Sequence, residues 1–147
     1  MLRGRKRKSL KDLKYCSKIL EILEKNIGDY IKTEEIRSYV FGGIFSENMK
    51  FKQRQEIRVI VNQIKNRDIF VEGKRGYGYK LVEPKSLDDL YTDFFSDRKI
   101  SWLGGIKRWI KYFKYIQSSE YVNIGIKAKA EDNEIMLQAV VRYIEKT

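Results

Sequence analysis

The chain has 147 residues, 42% hydrophobic and 35% charged, which suits one or two small domains with a packed core and excludes a disordered polymer. Lys and Arg number 31 against 20 Asp and Glu, a net charge of +11, so an acidic partner is expected: nucleic acid first, an anionic membrane surface or an acidic protein otherwise. There is no His and a single Cys, Cys16, which excludes an intrachain disulfide, a Cys/His zinc site and any triad or general base built on His.

The charge is unevenly placed. Residues 1–85 hold 21 Lys and Arg against 11 Asp and Glu, whereas residues 86–147 hold 10 against 9. A polyanion-binding half joined to a half with another task is the expectation. The first ten residues are charged with no apolar run behind them, unlike a secretory signal. No stretch approaches the roughly 18–20 apolar residues of a membrane span. One unpaired thiol fits a reducing compartment, so a cytoplasmic location and no membrane contact are expected.

In chain order, residues 1–10 form a basic arm with Arg3, Arg5, Lys6, Arg7 and Lys8 and no apolar pattern. It reads either as a solvated tail or as an arm that follows phosphates or enters a minor groove. Ser9 or Asp12 can cap a first helix running to about Asn26, with the apolar stripe Leu13, Cys16, Ile19, Leu20 and Leu23. Cys16 lies on that stripe and is expected in the core. Gly28 suits the helix exit, and Tyr30–Lys32 is a short extended piece. Thr33 is expected to cap a second helix, Glu34–Val40, with Glu34 and Glu35 in the first turn where the helix dipole favours acids.

A loop, Phe41–Met49, contains Gly42 and Gly43. A third helix follows from about Met49 to Arg67, burying Ile57, Ile60, Val61 and Ile64 and exposing Lys52, Gln55, Arg58, Asn62 and Gln63. Ile69–Glu72 and Tyr77–Val82 read as two strands around the turn Gly73-Lys74-Arg75-Gly76. Pro84, the only proline, marks a boundary at about 84–86.

The second half, residues 86–147, reads as mainly helical. Ser86 opens a short helix, Leu87–Phe95, with Asp88 and Asp89 in its first turn. Ser101–Gly105 is expected to break the pattern. Ile106, Trp109, Ile110, Phe113 and Ile116 then make an amphipathic stripe, opposite Lys107, Arg108, Lys111 and Lys114 beside Tyr112 and Tyr115. This is a core helix with a solvated basic face, a helix that docks on a partner with Trp109 and Phe113 as its contact candidates, a second nucleic-acid surface, or, least favoured because the segment is short, a membrane-surface helix. Val122, Ile124, Ile126 and Ala128 alternate and suggest a strand. Asp132 is then placed as the cap of a last helix burying Leu137, Val140, Val141 and Ile144. About 60 residues are marginal alone, so this region is expected to pack on the first half or to pair with its twin in a homodimer.

The order helix, short strand, helix, turn, helix, hairpin resembles a winged helix–turn–helix. The segment Asn66–Leu81, with Gly76, Gly78, Tyr79 and Leu81 spelling Gly-x-Gly-Tyr-x-Leu, resembles the recognition helix end and wing of biotin-repressor-type and OmpR-type response-regulator DNA-binding domains. The resemblance covers residues 11–84, about half the chain. It implies an α+β winged helix on double-stranded DNA. Residues 50–66 would read the major groove through Lys50, Lys52, Gln55, Arg58 and Asn62. The wing at 73–76, through Lys74 and Arg75 with Tyr77 beside them, would meet the backbone or minor groove. Gly76 and Gly78 would let the wing twist and approach phosphate. The Phe41–Met49 loop is longer than those families' turn.

A sequence-specific DNA-binding protein, a transcriptional regulator, is the leading expectation. Alternatives are a replication initiator using the winged helix at an origin, and a phage or mobile-element protein that binds, inhibits or recruits another protein. A composition rich in Lys, Ile, Tyr and Asn points to an AT-rich genome, that of a bacterium or its virus. No enzyme and no cofactor are expected, because there is no Walker loop and no compact carboxylate set, and Gly76-x-Gly78 lies in a hairpin rather than ahead of a helix.

Overall fold

The computed structural model describes residues 15–84 and 102–146. The basic arm, Leu13, the Ser9 and Asp12 caps and the helix expected at Leu87–Phe95 lie outside these residues.

Helix α1, Cys16–Lys25, buries Cys16, Ile19 and Leu23 completely, as the spacing requires. Beyond it, Gly28 at φ +87° donates its N–H to the Leu81 carbonyl at 2.9 Å. Ile31 exchanges both backbone hydrogen bonds with Tyr79, at 2.7 and 3.0 Å, so the short extended piece becomes a single-residue third strand. Helix α2, Thr33–Phe41, follows directly. Its cap is the extended Lys32, and Thr33 is already helical, so the expected Thr33 cap does not form; Glu34 and Glu35 do occupy the first turn.

Helix α3, Glu47–Lys65, starts two residues earlier than the apolar pattern suggests, because Ser46 caps it by accepting from the Met49 N–H at 3.2 Å. The connection from α2 is therefore shorter than the expected loop: only Gly42 to Ser46 remain outside helix, with Gly42 at φ +60° and Gly43 at φ +70° making the bend. Ile57, Ile60, Val61 and Ile64 are all buried, each contributing roughly 1.5–3 kcal/mol of apolar burial. Strands β1, Val71–Lys74, and β2, Gly78–Leu81, pair antiparallel with Val71 opposite Leu81 and Lys74 opposite Gly78.

Two further helices complete an α+β chain of five helices and a hairpin among the described residues: α4, Trp102–Ser118, and α5, Ile124–Lys146. Two expectations are corrected here. Gly104 and Gly105 do not interrupt the chain but lie inside α4. Two glycines cost about 1 kcal/mol each in a helix, which burial of Ile106, Ile110, Phe113 and Ile116 offsets. The strand expected over Val122–Ala128 is helix from Ile124 onward. Asn123 Oδ1 caps it by accepting from the Ile126 N–H at 2.9 Å, and Asp132 falls mid-helix instead of at a cap. Ala128, Lys129, Ala130 and Glu131 favour helix, and the buried positions Ala130, Asn133, Leu137 and Val141 recur at helical spacing.

Helix α4 packs along α5 and meets the first half through side-chain contacts. Phe70, just before β1, packs its ring on Trp109, 4.3 Å between centroids at 71°, and on Tyr112 at 4.9 Å. Tyr112 and Tyr115, expected on the outer basic face, turn inward instead: the fully buried Tyr112 donates its hydroxyl to the Val82 carbonyl at 2.8 Å, and burial pushes its pKa far above the ordinary phenol value, while Tyr115 reaches Glu24. Asp68 receives Arg108 at 3.0 Å and Lys111 at 3.7 Å. Buried side chains from both halves form one continuous core. Trp109 and Phe113, the candidates for partner contact, both pack within the chain: Phe113 is fully buried and Trp109 lies against Phe70. Their apolar stripe is consumed inside the chain.

Candidate nucleic-acid interface

The surface of interest is the outer face of α3 and the tip of the hairpin. An α-helix with Ile57, Ile60, Val61 and Ile64 inward must turn Lys52, Gln55, Arg58, Asn62 and Gln63 outward, and all five are exposed. Lys50 is half-buried and lies 3.8 Å from Glu47. Two apolar residues share the outer face, Val59 at 56% exposure and Phe51 at 55%. Phe51 escaped the sequence reading, although it sits one residue before Lys52 on a turn with no apolar neighbour to cover it.

At the hairpin tip the Tyr77 N–H closes a turn on the Lys74 carbonyl at 2.9 Å, with Gly76 at φ +85° where that turn requires a left-handed residue. Lys74 and Arg75 are exposed on the turn. The Lys74 ammonium lies 4.3 Å from the centroid of the half-exposed Tyr77 ring. Gly78 has a different task from the one its spelling suggests. A Cβ there would come 1.9 Å from the Ile31 carbonyl oxygen, so its bareness admits the third strand and not a phosphate.

Helix and hairpin converge. Arg58 of α3, Lys74 and Arg75 of the turn, and Thr33 at the start of α2 line one surface depression of about 260 Å³. Among the described residues Lys52, Arg58 and Arg75 have no acidic partner, so their charge is directed to solvent. Lys80, by contrast, is spent on Glu72 at 3.6 Å. Among the described residues no group of three or more His, Cys, Asp and Glu side chains is placed to hold a metal ion, and no helix is long and apolar enough to cross a membrane. Cys16, fully buried, has its thiol pushed up to about 11 by that burial. It is a core residue, not a nucleophile.

Helices α2 and α3 are joined by a polar contact that the sequence reading did not find. Arg37 of α2 is buried, at 4% exposure, and donates to Gln53 Oε1 of α3 at 3.0 Å. It also grips Glu34 at 2.7 Å, and Arg54 of α3 reaches the same carboxylate at 3.2 Å. The Arg37 and Arg54 hydrogen bonds hold Glu34 below the ordinary carboxylate range. The i,i+3 spacing of Glu34 and Arg37 was the available signal, but which helix they would clamp was not readable. No protein-family model, curated protein or solved structure matches the chain.

Proposed function

We propose that the first half is a winged helix that binds double-stranded DNA with sequence preference, and that the protein is a cytoplasmic transcriptional regulator without enzymatic activity or cofactor. The observation that carries this reading is the convergence of Arg58 with Lys74 and Arg75 on one depression, beside an exposed helix face of Lys52, Gln55 and Asn62 whose cations are unpaired among the described residues. A 19-residue α3 spans about 28 Å, ample for a major groove about 12 Å wide. In this pose Lys52 and Arg58 donate to guanine or phosphate, Gln55 and Asn62 pair with adenine, and Val59 and Phe51 meet thymine methyls or sugars. Lys74 and Arg75 hold the backbone. The Arg37–Gln53 bond supports the reading by tying α3 to α2, which holds the outer face of α3 in place.

Exposed Phe51 and Val59 also favour a second reading, in which the same helix face docks on a protein. Selection of bound duplexes from a random pool, followed by sequencing, separates the two. A DNA reader yields a consensus and binds it with a steep salt dependence. A protein-docking module yields no consensus and binds random duplex weakly.

A further inference from the structure

Helix α5 has two faces, and among the described residues only one has a partner. Ala130, Asn133, Leu137 and Val141 are buried toward α4. On the opposite face Tyr143 is 73% exposed and Ile135 55%, with Ala128 and Ala139 also exposed. Positions 128, 132, 135, 139 and 142 recur at the alternating four–three spacing of a seam between paired helices. We propose that this outer face joins two copies of the chain as an antiparallel helix pair whose two-fold axis passes beside Leu137.

Two charges in the seam choose both the partner and the direction. Asp132 and Arg142 are exposed, and neither has an ion-pair partner among the described residues. They lie ten positions apart on one helix, about 15 Å, too far to meet each other. In a parallel pair each would face its own like charge. Running antiparallel about residue 137, Asp132 faces the partner's Arg142 and Arg142 faces the partner's Asp132, so the pattern is complementary to itself under a two-fold axis. The same register sets the bulky Ile135 against the partner's small Ala139, twice. A foreign protein or a lipid surface would have no reason to match a charge pattern symmetric about its own midpoint. The inference does not rest on DNA binding.

The test is sedimentation equilibrium of the full chain at low salt, with circular dichroism to verify helix content. The wild type self-associates. Asp132→Arg alone and Arg142→Asp alone each set like charges opposite one another and weaken self-association about tenfold or more. The double swap Asp132→Arg with Arg142→Asp restores it to within about threefold. Equimolar mixing of the two single variants yields a heterodimer, because opposite charges then meet at both contacts; this arm remains decisive even if one variant is less stable. A wild type that stays monomeric at about 1 mM, single variants that associate like wild type, or a double swap that fails to restore association each overturn the proposal. So does a monomer that instead binds vesicles or a foreign protein through Ile135.

Discussion

The hydroxyl of Tyr115 in α4 donates to the carboxylate of Glu24 at the end of α1, across 91 positions of chain. Ser119 adds a second hydroxyl at 2.9 Å, and Glu24 is only 8% exposed. A carboxylate taken out of water with two neutral donors ties the halves together, because removing either donor leaves it under-bonded. Burial, and then the Glu24 charge, hold the Tyr115 hydroxyl protonated far above the ordinary phenol range. Tyr115→Phe is expected to destabilise the whole chain by about 1–3 kcal/mol. Urea unfolding followed by tryptophan fluorescence and by circular dichroism checks this: both signals should move together, and a fluorescence change at lower urea than the helix loss would mean that the halves unfold separately.

The two wing glycines are expected to differ. Gly78→Ala drives a methyl into the Ile31 carbonyl at a φ of +100° and should cost more than about 3 kcal/mol, with loss of the strand contact. Gly76 has the same sign of φ but nothing within 4 Å of a Cβ, so Gly76→Ala should cost only about 1 kcal/mol. Thermal unfolding of the pair measures the contrast.

The proposed DNA pose separates affinity from preference. Arg75→Ala should weaken binding to all duplexes alike and reduce the salt slope by about 1. Gln55→Ala should instead change the selected base at its position, a discrimination of about 1–3 kcal/mol. Binding isotherms at several salt concentrations, run with selected and scrambled duplexes, distinguish these outcomes. A Gln55→Ala protein that selects an unchanged consensus would remove α3 from the groove.

The Glu34 clamp gives a pH dependence of known sign. Its folded-state pKa lies below the ordinary carboxylate value, chiefly through the Arg37 hydrogen bond. Its stabilising contribution is therefore present at neutral pH and disappears as pH falls through that depressed value. Glu34→Gln should be less stable than wild type near neutrality, and the two should converge in acid below the ordinary carboxylate range. Melting temperatures measured from about pH 7 down to about pH 2 test it; a gap that stays constant with pH would show that the carboxylate's charge is not what holds Arg37 and Arg54.

The sequence by itself determined the periodic faces. Cys16, Ile19 and Leu23 on α1, and Ile57, Ile60, Val61 and Ile64 on α3, were identifiable as core because a helix repeats every 3.6 residues whatever surrounds it. The exposed polar face of α3 followed from the same geometry, as did the hairpin from its glycines. What only the tertiary structure decided depends on residues distant in the chain. Glu24 looks like a surface residue until Tyr115 of α4 and Ser119 just beyond it arrive. Gly78 reads as a wing glycine until the Ile31 backbone is found against it. Trp109 and Phe113 form an evident apolar stripe, but nothing local says that Phe70 covers Trp109. The start of α5 alternates like a strand because Val122, Ile124 and Ile126 are apolar, and the Asn123 cap and the packing of Ala130 and Leu137 on α4 overrule that alternation. Local pattern sets which faces exist, because backbone geometry is local; which face meets which is set by burial and hydrogen bonding between elements, and those energies exist only once the chain has folded.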